Sequence, residues 1–232
     1  MKLTKKKASS TRSTKKKVSD KKKVSEEQLA EEKGENIEEI SGEELLDSLL
    51  SLQAQGDAEG KPNRMISLFG EIDEERCGEV AFALRYLAKT TKADSEPIEV
   101  IVSTHGGSAS DMFAVYDTMR LVREESPVAT TGVGKVMSAG VLLLASGTRG
   151  YRRVGANCRV MLHGVASGHV GQIHNLENEL DEVKWTQDQY IKALAKETDM
   201  TQAYIKKLIA RKVNVYLTAK EAVELGIADE VF

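Results

Sequence analysis

The 232-residue chain is predicted to fold as an α/β protein with parallel strand pairing, and three observations carry that expectation. From residue 64 onward, short stretches rich in Val, Ile and Leu alternate with stretches whose apolar residues recur every three or four positions. That is the pattern of strands joined by right-handed crossover helices. Hydrophobic residues make up 41% of the chain and aromatics only 5%, so the core must be built from aliphatic side chains, as suits this class. Small residues gather where the strands should end, and in such sheets the reactive groups collect at the carboxyl ends of strands.

In chain order, "RMISLFGEI" (64–72) alternates as a strand, and "DEERCGEVAFALRYLAKT" (73–90) carries Val80, Leu84 and Leu87 at helical spacing. "PIEVIVST" (97–104) is a second strand, closed by "HGGSAS". The stretch "ASDMFAVYDTMRLVRE" (109–124) is a helix with Met112, Val115, Met119 and Leu121 or Val122 on its apolar side. "PVATTGVG" (127–134) is the third strand, "SAGVLLLASG" (138–147) a helix of small residues, and "RRVGANCRVMLHG" (152–164) a further strand region. Residues 172–198 read as one long amphipathic helix on Ile173, Leu176, Leu180 and Val183. Its apolar stripe and Trp185 predict self-association through residues 170–198, since the helix is longer than a single domain needs.

Residues 1–59 are a separate region. Residues 1–23 hold eleven Lys or Arg against Asp20, and residues 24–59 hold twelve Asp or Glu against Lys33, so the net charge of −3 conceals a diblock. Like-charge runs with few aromatics bury too little apolar surface to offset the entropy of ordering, so this part is expected to be a largely disordered tail. A short amphipathic helix is expected near 41–53, where "SGEEL" opens a run of leucines. The basic arm has no interleaved aromatics, so nucleic-acid binding is not expected beyond that arm's attraction to phosphates.

The longest apolar stretch, around Val141–Ala145, falls far short of the ~20 residues that cross a bilayer, and a cytoplasmic protein without membrane contact is expected. Cys77 and Cys158 lack metal or disulfide spacing and read as reduced, buried thiols. No metal or cofactor is predicted.

The chemistry is expected at three turns. Gly106-Gly107 lets backbone amides approach a ligand, Ser138 stands where a strand meets a helix, and His163 follows the strand "CRVML". Each alone reads as an ordinary turn or packing residue, and together they suit a serine nucleophile with a histidine base. His105 lies in the glycine turn, and His169 and His174, which flank a polar loop and helix start, read as surface residues.

The ordered blocks "GEI", "STHGGSAS", "YDTM", "GKVMSAG", "LLLASG", "GANCRVMLHG", "GQIHNLENELDEV" and "LTAKEAVELGIADEV" resemble the Clp protease proteolytic subunit (ClpP) family from about Arg64 to Phe232. The resemblance implies a ClpP/crotonase-like fold with repeated β-α units and a long handle helix, in a domain spanning 60–232. It implies a serine endopeptidase cutting unfolded or assembly-associated polypeptides inside a homo-oligomeric ring or double ring, with Ser138 as nucleophile and His163 as general base. The amides of Gly107 and Ala139 match its oxyanion hole. Its partner would be an AAA+ unfoldase, or capsid proteins in a bacteriophage head-maturation relative, which would place the chain in a prohead.

Two departures stand out. Asn214 occupies the position of the family's catalytic aspartate. In a trypsin-type triad that change costs about 10⁴ in turnover, and no carboxylate lies between Met200 and Lys220, leaving Asp199 or another subunit to supply one. The charged diblock replaces the family's axial loops. The alternative reading is therefore a catalytically weakened structural or regulatory ring subunit. A third reading pairs Ser138 with Lys135 as a Ser-Lys dyad.

Overall fold

The computed structural model describes residues 63–90 and 96–232. The charged tail, the helix expected near 41–53 and the boundary at 59/60 lie outside the described residues.

Strand β1 (Met65–Ile72) buries Ile66, Leu68 and Ile72, and its register against the next strand shifts beside Gly70. Helix α1 (Glu74–Thr90) opens where the Asp73 carboxylate accepts from the Arg76 amide at 2.8 Å, and it buries Cys77, Val80, Leu84 and Leu87. Strand β2 (Ile98–Gly107) runs through the glycine pair. Helix α2 (Ala109–Arg123), capped by Ser108, buries Met112, Val115, Tyr116, Met119 and Val122. These periods of two and of three to four are those read from the sequence.

Strand β3 (Val128–Met137) ends three residues later than expected, and it organises the sheet. The stretch 152–164, anticipated as one strand region, is two strands that use different halves of β3. Strand β4 (Arg152–Val154) pairs in parallel with Thr130–Gly132, and β5 (Arg159–Leu162) pairs in parallel with Lys135–Met137. The sheet thus forks along β3. On one branch, β7 (Glu230–Val231) pairs with β4. On the other, β6 (Val215–Leu217) runs antiparallel to β5, a departure from all-parallel pairing.

Helix α3 (Ala139–Ala145) is buried at every position, with Val141 to Leu144 at 1% exposure or less. A helix apolar all round must lie inside the core, and each such side chain removed from water stabilises the fold by roughly 1.5–3 kcal/mol. The long helix α4 (Ile173–Glu197) is followed by α5 (Gln202–Ile209) and α6 (Ala219–Glu224), and α6 starts with a capping box between Thr218 and Glu221.

A buried polar knot holds the root of α4. The Arg152 guanidinium, 1% exposed, donates to the carbonyls of Ala145 and Glu197 and is paired with Asp229, with Nε to Oδ2 at 3.0 Å. Arg123 and the Tyr116 hydroxyl both reach the Glu197 carboxylate. Cys77 and Cys158 are buried and unpaired, and burial pushes both thiols up to about 11. Among the described residues, no helix is long and apolar enough to cross a membrane.

Candidate active site

Strand register alone brings the sequence-predicted residues into one row. Thr104 pairs with Val136, which sets Gly106 opposite Ser138 two residues further on. Met137 pairs with Met161, which sets His163 one residue beyond the rung of Ser138. Leu162 pairs with Val215 across the antiparallel edge, so the next rung sets His163 against Asn214. The four positions come from four adjacent strands that end at the same edge.

Ser138 sits at the junction of β3 and α3 with φ 55° and ψ −123°. A left-handed φ in a residue other than glycine costs on the order of 1–3 kcal/mol and survives only when the surroundings impose it. Here the Ser138 amide donates to the Met161 carbonyl at 2.8 Å, and the Ser138 carbonyl accepts from the Tyr190 hydroxyl at 2.9 Å. The side chain makes no capping bond to α3 and faces a cleft instead. A strained turn between strand and helix that presents a serine hydroxyl is a known way to expose a nucleophile.

The glycine pair is required by close approach. A Cβ at Gly106, whose φ is 107°, would stand 2.6 Å from the Ser138 Cβ, and one at Gly107 would strike the Ile72 carbonyl. Ser108 donates its amide to Ile72 at 2.7 Å. Because successive amides along a strand point to opposite sides, the Gly107 amide turns away from β1.

A cleft of about 220 Å³ is lined by Ser138, His163, Gly107, Ala139, Met112 and Tyr190, with Val165 and Ala166 on its rim. His163 is half-buried, and its Nδ1 lies 2.5 Å from the Gly164 carbonyl oxygen. A carbonyl only accepts, so Nδ1 carries a proton, and in the neutral ring the lone pair is then on Nε2. Asn214 is exposed, and Nδ1 meets the Gly164 carbonyl, not Asn214. Asp199 is engaged by Arg149 at 2.9 Å. Lys135 stands in β3 beside Arg159 and does not line the cleft, so the Ser-Lys pairing has no geometric support. His169 and His174 are exposed, as expected, and so is His105; His169 lies 3.4 Å from Glu179.

Sequence reading missed Met112 and Tyr190 as parts of this cleft. The signal for Tyr190 was present: Ile173, Leu176, Leu180, Val183, Gln187, Tyr190 and Leu194 recur at alternating steps of three and four, so Tyr190 continues the α4 stripe. Burial places its phenol out of water and pushes its pKa upward.

A strained serine and a histidine that line one cleft are an arrangement that suits a serine-protease-like hydrolase. The Clp protease family model matches residues 61–232, and the chain belongs to that family. Among its relatives is the ATP-dependent Clp protease proteolytic subunit 2 of Corynebacterium jeikeium (strain K411), 31% identical over 195 residues that cover 81% of this chain and 90% of the relative.

Proposed function

We propose that the chain is a serine endopeptidase that hydrolyses unfolded or assembly-associated polypeptides, with Ser138 as nucleophile and His163 as general base. The observation that carries this reading is the strained Ser138 turn, whose hydroxyl opens on the cleft it shares with His163. Nε2 of His163 takes the Ser138 proton as Oγ attacks the scissile carbonyl, and returns it to the leaving amine as the tetrahedral adduct collapses to an acyl-enzyme. Water then repeats the sequence and releases the acid. The amides of Gly107 and Ala139 would hold the oxyanion. Each such donor is worth roughly 10²–10³ in turnover.

Among the described residues, the hydrogen-bond partner of the His163 imidazole is the neutral Gly164 carbonyl and not a carboxylate. The Gly164 carbonyl can hold the tautomer, but it lacks the negative charge that stabilises an imidazolium. This observation favours a second reading, a catalytically weakened ring subunit, and makes Asn214 the residue to change.

The exposed stripe of α4 supports assembly of copies into a ring or double ring around an enclosed chamber, with an AAA+ unfoldase as the feeding partner in the cytoplasm. In a phage-encoded chain, capsid proteins inside a prohead take that place.

The test is the rate of labelling by a fluorophosphonate probe in the wild type, Ser138→Ala and Asn214→Asp. Labelling at Ser138, abolished in Ser138→Ala, is expected, and Asn214→Asp should label about tenfold faster or more. A wild type that stays unlabelled beside a rapidly labelled Asn214→Asp establishes the weakened subunit. If neither labels, the peptidase reading fails.

A further inference from the structure

We propose that Tyr190 is a positioning residue of this site: its phenol holds the peptide plane between Ser138 and Ala139 and thereby aims the Ala139 amide at the oxyanion. The inference rests on the peptidase reading above and adds to it a residue from the root of the handle helix.

The Tyr190 hydroxyl donates to the Ser138 carbonyl at 2.9 Å. That carbonyl and the Ala139 amide belong to one planar trans peptide, in which C=O and N–H point in opposite directions. Fixing the oxygen therefore fixes the direction of the N–H. Ser138 needs such a tie, because its φ of 55° is a conformation that the surroundings must impose. The bond from the Ser138 amide to Met161 fixes the preceding peptide, and the Val141 amide reaches the Ser138 carbonyl from within the same turn at 3.1 Å. From outside that turn, among the described residues, the phenol is what holds the carbonyl.

Tyr190 is only 5% exposed, so the bond is made away from bulk water. Burial raises the pKa of the phenol and so keeps it a neutral donor around neutral pH. A residue of the same shape without the hydroxyl would keep the wall of the cleft and lose the tie, which separates the two roles experimentally.

The experiment compares the full-length wild type with Tyr190→Phe, using a chromogenic peptide substrate and a peptide boronic acid that forms a tetrahedral adduct on the serine. Losing one buried hydrogen bond corresponds to roughly a tenfold effect. We expect kcat to fall by about that factor, KM to stay within about twofold, boronate affinity to fall in parallel, and the limbs of the pH–rate profile to stay in place. Unchanged kcat overturns the proposal, and so does a rise in KM alone, which is the signature of a wall residue. Should Tyr190→Phe melt before assay, 3-fluorotyrosine placed at 190 retains the shape and strengthens the donor, and a kcat that ignores it also overturns the proposal. Wild type that does not label at Ser138 overturns the peptidase reading and this inference together; a labelled wild type with an indifferent Tyr190→Phe overturns this inference alone.

Discussion

The two ends of helix α4 carry one apolar stripe under opposite conditions. Toward its root, Tyr190 is 5% exposed and Leu194 fully buried; toward its tip, Ile173 is 76%, Leu180 54% and the neighbouring Trp185 58% exposed. The spacing is the same and the chemistry similar, so the difference comes from what faces each half. The root lies against the core and is gripped by the Arg152, Arg123 and Tyr116 bonds around Glu197. The tip has water where the root has packing. Contiguous exposed apolar surface of this kind marks an interaction site, and a stripe that keeps a core-like spacing is suited to another helix of the same kind. The contrast places the root in the protomer's core and beside the site, and leaves the tip as the surface for the proposed association.

The sharpest way to break that contrast is to truncate one leucine at each end. Leu194→Ala at the root removes a fully buried side chain, for which about 2–5 kcal/mol is the usual loss. In a domain of this size, each kcal/mol shifts Tm by roughly 2–4 °C. We expect a drop of about 10 °C by calorimetry, independent of protein concentration. Leu180→Ala at the tip should leave the melting of a dilute protomer nearly unchanged. Equal drops from both would erase the division between root and tip.

The tip half is sharpened next by charge. Leu176→Asp with Leu180→Asp puts two carboxylates into the stripe, and sedimentation velocity at micromolar concentration should show protomers where the wild type shows a larger assembly. The concentration dependence of the wild-type Tm should vanish with it, because assembly stabilises by mass action. A wild type that is itself monomeric at this concentration removes the tip as an assembly surface and the chamber with it.

The same contrast explains what could be read in the sequence. Local periodicity recovered α1, α2 and α4 and the strands β1 to β3, because each carries its own repeating apolar face. The fork along β3 was not legible. Whether "RRVGANCRVMLHG" is one strand or two depends on a pairing with β3 that no local pattern encodes, and α5 and β6 are too short to show a period. Ser138, His163 and the glycine pair were legible as residue types at strand ends, yet only the register sets them in a row. Tyr190 was visible in the stripe but silent about its role, since its partner is a backbone carbonyl 52 residues away. Asn214 carries the reverse lesson: the resemblance put it where a carboxylate was expected, and the geometry adds that a backbone carbonyl takes up Nδ1.

The smallest effect expected is a pH dependence confined to the root. At Asp229, burial works to raise the carboxyl's pKa, but the bonds from the Arg152 side chain and from the amides of Arg152 and Gly150 outweigh it and hold the group below its ordinary value of 3.8. A carboxylate whose pKa is lower folded than unfolded contributes stability that is complete above the unfolded value and is lost as pH falls through the folded one. Denaturant melts of the wild type should therefore weaken below about pH 4 in part through this group. Asp229→Asn starts less stable at pH 7, because Arg152 is left buried without its counter-charge. It has no such proton to gain, so the gap between the two proteins should narrow steadily from pH 5 to pH 2. A gap that stays constant across that range would mean that the Arg152 bonds do not favour the ionised form, and the grip on the root would then be geometric, with no share from charge.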